Sequence, residues 1–316
     1  MTPLQVSVII CTHNPRRDYL ATVLDALKVQ TLPKDQWELL LIDNASKEPL
    51  ATVWDLSWHS NARHIREEEL GLTPARLRGI KEAQGELLVF VDDDNVLQRD
   101  YLGAVLSLFE KWPQLAVIGG ATEGKFETPP PEWTRPMWPS LVIRPLKRDA
   151  WSNVWGGDQE AIPYGAGMAV RAPVARNYAD RTIGNRLGFA LDRKGSNLSS
   201  GGDISMVMTA LEMGFGVGRF QALQMSHLIP PFRLEEDYLV RLAESLEFSW
   251  WILHRLHGLE LTVPKPSWRR SIANAIRMIL LSRRERRFFR ARMLGRARAS
   301  VALKEFENPS GTRSRV

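Results

Sequence analysis

The chain predicts an α/β fold: an open, mostly parallel central sheet flanked by helices, continued by a helical, basic C-terminal extension. Three observations predict it. Apolar strand runs alternate with amphipathic helical segments through the first 120 residues. Polar residues gather where those strands end, which is where open α/β sheets bind ligands. Net positive charge is confined to the far end: residues 265–316 hold 15 Lys/Arg against 3 Asp/Glu, whereas residues 1–264 hold 27 against 33 and are net acidic.

Val6 to Cys11 (VSVIIC) is a buried strand broken by Thr12-His13-Asn14-Pro15, and Arg17 to Val29 is a helix with apolar residues at Leu20, Val23, Leu24 and Leu27. Trp37 to Ile42 is a second strand, ending in Asp43-Asn44-Ala45-Ser46. Ala62 to Arg66 gives a short third strand. Thr73 to Ala83 is a helix opened by Thr73-Pro74. Leu87 to Val91 is the fourth strand and runs straight into Asp92-Asp93-Asp94. A helix over Tyr101 to Trp112 follows, then a fifth strand from Leu115 to Ile118, closed by Gly119-Gly120.

From Gly124 to Glu160 six prolines break any helix while Trp133, Trp138, Trp151 and Trp155 recur, which predicts a long ordered loop whose tryptophans pack or face a ligand. Tyr164 to Arg171 reads as a strand, Ala172 to Ala179 as a helix, Gly184 to Ser200 as a loop and Asp203 to Met213 as a helix. Val217 to Phe220 and Ala222 to Met225 read as strands ending at His227. Glu235 to Leu256 is a long helix, and the chain from Trp268 onward is mostly helical and Arg-rich.

Three adjacent carboxylates at a strand end repel one another and call for a cation. Alternate residues of an extended segment share a face, so Asp92 and Asp94 can point together, and two hard oxygen ligands suit Mg2+ or Mn2+. The plainer reading is an acidic turn that caps the next helix. The first strand lacks a G-x-G-x-x-G, which disfavours a dinucleotide site. Cys11, the one cysteine, excludes an intramolecular disulfide and reads as strand filler, which fits a reducing compartment. The N-terminus has no basic-then-apolar segment of a signal peptide, and no run approaches the ~18 apolar residues of a membrane span.

VSVIICTHN, LLLIDNAS, GLTPARLRGI, LLVFVDDDNVL, YGAGMAVR, SSGGDISM and SHLIPPFR occur in that order over residues 5–240. The ordered set resembles the family 2 nucleotide-sugar glycosyltransferases, which have the GT-A fold. The resemblance implies a GT-A catalytic domain over 1–232, with a nucleotide-binding half (1–120) and an acceptor half (121–232), and a C-terminal helical region over 233–316. It implies that Thr12, Asn14 and Asp43 meet the nucleotide, although Asp43 can equally close an Asx turn. It places Arg76 at the diphosphate, with Arg78 solvated and His13 behind the site. In the D-x-D signature, Asp94 contacts the metal, Asp92 meets the ribose or a metal-bound water, and Asp93, counted with the donor-binding acids, turns its side chain away. His227 ligates the metal or meets the diphosphate, and Arg233 reaches the diphosphate or a lid. Asp203 is the general base, because an acceptor hydroxyl must lose its proton as it attacks. Its plainer role is a helix N-cap. The family often carries an acid just before this aspartate, and here that position is Gly202.

The implied activity is inverting, metal-dependent transfer of a sugar from a nucleoside-diphosphate sugar to a glycan or lipid-linked acceptor. A nucleotidyltransferase would want a Gly-rich phosphate loop, which Thr12-His13-Asn14-Pro15 does not supply. A non-catalytic nucleotide-sugar binder is favoured only by Gly202. In the tail, Ile272, Ile276, Ile279, Leu280, Phe288 and Phe289 alternate with Arg269, Arg270, Arg277, Arg283, Arg284, Arg286, Arg287 and Arg290. That pattern predicts a helix lying on an anionic membrane surface through residues 268–300, at the cytoplasmic face. The alternatives are docking on the catalytic domain, contact with another copy, or, least favoured, nucleic acid.

Overall fold

Strand β1 (Val6–Thr12) is apolar and buried along nearly its whole length, as a parallel strand covered on both faces must be. The computed structural model describes residues 4–193, 195, 197–259 and 268–307, with backbone alone at 269–271, 273, 275 and 276. Helix α1 (Arg17–Lys28) follows, burying Leu20, Val23, Leu24 and Leu27 on one face. Strand β2 (Trp37–Asn44), strand β3 (Ala62–Glu67), helix α2 (Leu72–Glu82) and strand β4 (Leu87–Val91) complete the first layer pair. Strands β3, β2, β1 and β4 lie side by side and parallel, so their carboxyl ends open on one edge.

The rest of the sheet is mixed. Strand β5 (Asn95–Leu97), helix α3 (Tyr101–Lys111), strand β6 (Leu115–Phe126), strand β7 (Ala150–Ser152), strand β8 (Ala169–Arg171), helix α4 (Ala172–Thr182), the single turn α5 (Arg186–Phe189), helix α6 (Gly202–Glu212) and strand β9 (Gly216–Ile229) follow in order. Strand β8 enters antiparallel between β4 and β6, β9 runs parallel to β6, and β5 and β7 both pair antiparallel with β9.

Three sequence expectations are corrected here. Gly119-Gly120 does not end the fifth strand. The strand continues to Phe126 through an irregularity between Gly119 and Ala121. A side chain at Gly120 would overlap the backbone oxygen of Leu223, so the glycine permits the close pairing. The two strands expected before His227 are one continuous β9. The strand expected over Tyr164–Arg171 is regular only over its last three residues.

The tryptophan-rich loop is ordered by packing. Residues Glu132–Leu141 form 3₁₀ turns, Trp138 packs at a tilt against Phe126 with ring centres 5.2 Å apart, Trp151 lies against Trp112, and Trp155 against Trp250.

Helix α7 (Glu236–Leu256) and helix α9 (Arg283–Glu307) pack along one another, with helix α8 (Trp268–Leu280) before α9. Phe288, Ala291 and Ala299 are buried. Arg284 and Arg287 pair with Glu236, Arg287 also with Asp237, Arg296 with Glu247, and Arg298 with Glu244. These arginines and Phe288 therefore dock α9 on α7, the alternative to a membrane face. The side chains of Arg269, Arg270 and Ile276 lie outside the described residues. Among the described residues no helix is long and apolar enough to cross a membrane.

Candidate active site

The carboxyl ends of β1 and β4 are neighbours in the sheet, so Thr12 and the Asp92–Asp94 run arrive together. After Val91 the chain turns tightly, with the Asn95 N–H donating to the Asp92 carbonyl at 3.0 Å and the Asn95 side chain donating to Asp94 Oδ1 at 3.0 Å. Strand β5 starts at Asn95, directly opposite His227 on β9. That ladder carries His227, far along the chain, to Asp94.

The meeting point is a cavity of about 320 Å3 at the strand ends. Thr12, Arg76, Asp92, Asp93, Asp94, Asp203, His227 and Arg233 all line it. Asn14 and Asp43, expected at the nucleotide, do not. The Asp43 carboxylate accepts from the Ser46 and Leu50 N–H groups, each at 3.0 Å, and from Arg66 at 2.8 Å, so it closes the turn after β2. Burial opposes its charge, and those donors outweigh burial and hold its pKa below the usual range. Asn14 accepts from the Lys47 N–H at 2.9 Å, tying the loop after β1 to the same turn. The neighbouring Asn44 does reach the cavity, as does His13, whose Nδ1 bonds the Asn44 carbonyl at 2.7 Å.

The acids divide the corner between them. Asp94 Oδ2 takes an ion pair from Arg233 at 2.8 Å and lies 3.3 Å from His227 Nε2. Burial disfavours its charge, but His227 and Arg233 more than compensate and pull its pKa well down. Asp93 does not turn away. It lines the cavity and accepts a hydrogen bond from the Thr12 hydroxyl, and burial together with Asp94 pushes its pKa up to about 7. Asp92 is raised by burial and by Asp94, and its carboxylate takes no hydrogen bond among the described residues. His227 Nδ1 donates to the Leu141 carbonyl at 2.9 Å, and its Nε2 lies 2.9 Å from Arg233 Nη1. Burial raises the Cys11 thiol to about 12, in keeping with strand filler although it touches the cavity.

Across the cavity lies the start of α6. Asp203 sits one residue inside the helix, whose cap position is Gly201, so it is not the N-cap. Its Oδ2 accepts from the Gly165 N–H at 2.8 Å and its Oδ1 from the Ile204 N–H at 2.8 Å. A methyl group placed on Gly165 would be 2.9 Å from Arg76 Nη2 and 3.3 Å from Asp203 Oδ2, so carboxylate and guanidinium converge over bare backbone. Arg78, on the same helix as Arg76, pairs with Glu82 at 3.0 Å outside the cavity.

Sequence reasoning missed Asp192. It is buried and accepts from Thr73 Oγ1 at 3.0 Å, Arg76 Nη1 at 3.2 Å and the Gly202 N–H at 3.1 Å. Burial works against the charge of Arg76, and Asp192, Asp203 and Asp92 outweigh it and raise its pKa. The only sequence signal for Asp192 is an acid inside a Gly-rich loop. The same loop is fixed from two sides: the Leu72 N–H donates to the Arg193 carbonyl at 3.0 Å, and the Ser200 N–H to Ser249 Oγ of α7 at 3.1 Å.

A sequence profile of glycosyl transferase family 2 matches residues 7–172, more than half of the chain, from β1 to the start of α4. The chain belongs to glycosyl transferase family 2. Among curated relatives, a glucosyl-dolichyl phosphate glucuronosyltransferase of Haloferax volcanii is 22% identical over 133 residues, which are 41% of this chain and 42% of that protein. A cholesterol galactosyltransferase of Borreliella burgdorferi is 33% identical over 100 residues, 31% of this chain and 27% of that protein. The chain thus covers less than half the length of each. A crystal structure of residues 1–349 of Staphylococcus aureus TarS in complex with UDP-GlcNAc superposes with a TM-score of 0.54 at 15% identity, covering 98% of this chain and 93% of that one, and shares the GT-A fold.

Proposed function

We propose that this family 2 chain transfers a sugar, with inversion, from a nucleoside-diphosphate sugar to an acceptor hydroxyl. The observation that carries the reading is the placement of Asp203 in one cavity with Arg76 and the Asp92–Asp94 corner. Arg76 and Arg233 offer guanidinium charge to a diphosphate, and Thr12 and Asp92 offer polar contacts to the nucleotide. Asp203 takes the proton of the acceptor hydroxyl. That oxygen bonds the anomeric carbon from the face opposite the leaving group, and the carbon–oxygen bond to the diphosphate breaks with its electron pair on the diphosphate. The N-terminal half, residues 1–120, presents the donor contacts, residues 121–232 present the base, and Arg233 enters from the C-terminal region.

Asp94 and His227 fit one divalent cation, Mg2+ or Mn2+, with Asp92 alongside. The fit rests on the donor set, carboxylate with imidazole, beside two further carboxyl groups, Asp92 and Asp93, whose charge is disfavoured by burial and by Asp94. Among the described residues no group of three or more such side chains is arranged to hold a metal, so the protein would offer two ligands and the other positions would fall to water and phosphate oxygens. When bound, the cation supplies charge against the leaving diphosphate.

A lipid-linked acceptor at the cytoplasmic membrane face is supported by two relatives whose names carry a dolichyl or a cholesterol group. It is also supported by α8, where Trp268, Ile279 and Leu280 are 69%, 78% and 80% exposed beside exposed Arg277 and Arg283. Because the TarS complexes hold UDP and UDP-GlcNAc, uridine donors are the first to try.

The test is release of nucleoside diphosphate from a panel of donors with Mn2+ or with chelator, followed by NMR of the product's anomeric configuration. No release from any donor, or retained configuration, overturns the reading. Flotation with anionic vesicles tests the membrane part separately.

A further inference from the structure

Gly202 is a glycine for want of room, not for its backbone angle. It begins α6 with ordinary helical geometry. A Cβ there would lie 2.8 Å from Cγ of Asp192, and nearer still to Oδ2. The carboxylate of Asp192 therefore fills the space that a side chain at 202 would fill. It reaches this place from a loop ten residues upstream and bonds the Gly202 N–H itself.

That carboxylate is also the only ion-pair partner of Arg76 among the described residues, with Nη1 at 3.2 Å. Arg76 stands between two acids: its Nη2 and Asp203 Oδ2 both lie within 3.3 Å of one point above Gly165. Without Asp192, the attraction of Arg76 to Asp203 would be countered only by the weaker pull of Asp92, and a base locked in an ion pair is poorly placed to receive a proton from an acceptor.

We propose that Asp192 is a positioning residue that supplies from the loop the carboxylate missing at position 202, holding Arg76 away from Asp203 and fixing the start of α6 to that of α2. This rests on the reading of Asp203 as the base. It implies that the acid can be moved from loop to helix: Asp192→Ala removes it, and Gly202→Asp restores it in the same space once Asp192 no longer occupies that space.

The experiment is a double-mutant cycle on the full chain with Asp192→Ala, Gly202→Asp and both together, plus Asp192→Asn, which keeps the shape and loses the charge. Melting temperature without ligand tests the shared space. Gly202→Asp alone should lower it by several degrees, and in the Asp192→Ala background it should not. Turnover tests the role, read as nucleoside diphosphate released from a panel of nucleoside-diphosphate sugars with Mn2+. Asp192→Ala and Asp192→Asn should each lower kcat about 100-fold while the donor KM moves far less. The double variant should recover to within about tenfold of the unmodified chain. Additive melting shifts, or an active parent whose double variant is no better than Asp192→Ala, overturn the proposal. A parent that releases nothing from any donor overturns the function on which it rests, while the melting cycle still decides the shared space.

Discussion

Arg233 closes on Asp94 at 2.8 Å, joining the turn after β9 to the end of β4 inside the cavity. Both side chains are largely buried, and each shifts the other's pKa toward the charged form against the cost of burial. Removing one partner of such a pair leaves an uncompensated buried charge, which costs about 3–5 kcal/mol. Arg233→Gln should therefore lower the melting temperature in the absence of metal, and added Mn2+ should restore more of it than it adds to the unmodified chain. Equal Mn2+ shifts in the two proteins would show that the cation does not neutralise Asp94.

Asp203 makes its two hydrogen bonds as an acceptor from backbone N–H groups. An asparagine preserves an acceptor oxygen and the shape but removes the basic carboxylate. Asp203→Asn should leave donor binding by calorimetry within about twofold and cost kcat about 10²–10⁴-fold. A loss under tenfold would take the proton-transfer role away from this residue.

His59 gives a pH signature remote from the cavity. It is buried against Trp37 and Trp58, and its Nδ1 accepts from the Asn61 N–H at 3.2 Å, a bond available only without a proton there. Burial, with Lys34 adding to it, depresses its pKa from 6.5 to about 4. Between those values the unfolded chain binds a proton and the folded chain does not. Stability therefore rises with pH across this window and is lost as pH falls through it, by about 3 kcal/mol at the limit. Urea titrations from pH 4 to 7 should show that slope, and His59→Gln should flatten it.

Gly295 lets α9 lie close on α7. A Cβ there would overlap the carbonyl oxygen of Glu244 and sit 3.1 Å from its carbon. Gly295→Ala gains helix propensity in isolation but should destabilise the pairing by about 1–3 kcal/mol, through forced separation of the helices. Hydrogen exchange along α7 and α9 should rise together. Unchanged exchange would mean that the two helices are not packed this closely in solution.

What the sequence revealed follows from how each element is stabilised. Strands β1, β2 and β4 are buried on both faces, so they appear as unbroken apolar runs, and their expected limits agree with the fold within two residues. Strands β5 and β7 have three residues each and exist because β9 pairs with them, which no local pattern announces. The aspartate run was visible because three adjacent acids at a strand end are unusual, and Asp203 because it falls in the SSGGDISM segment that carries the family resemblance. Asp192 was not, since its meaning depends on meeting Arg76, 116 residues earlier. For Asp43 and Asn14 local turn chemistry took the polar atoms that a ligand would otherwise use.

The bond from Ser200 to Ser249 gives the C-terminal helices a reach beyond their own contacts. One side of α7 grips the rim beside Asp203, and its other side leans on α9. Shortening the protein from its C-terminal end would thus remove a buttress. A chain cut just after the turn that carries Arg233 should hold its donor and yet lose command of where the acceptor sits.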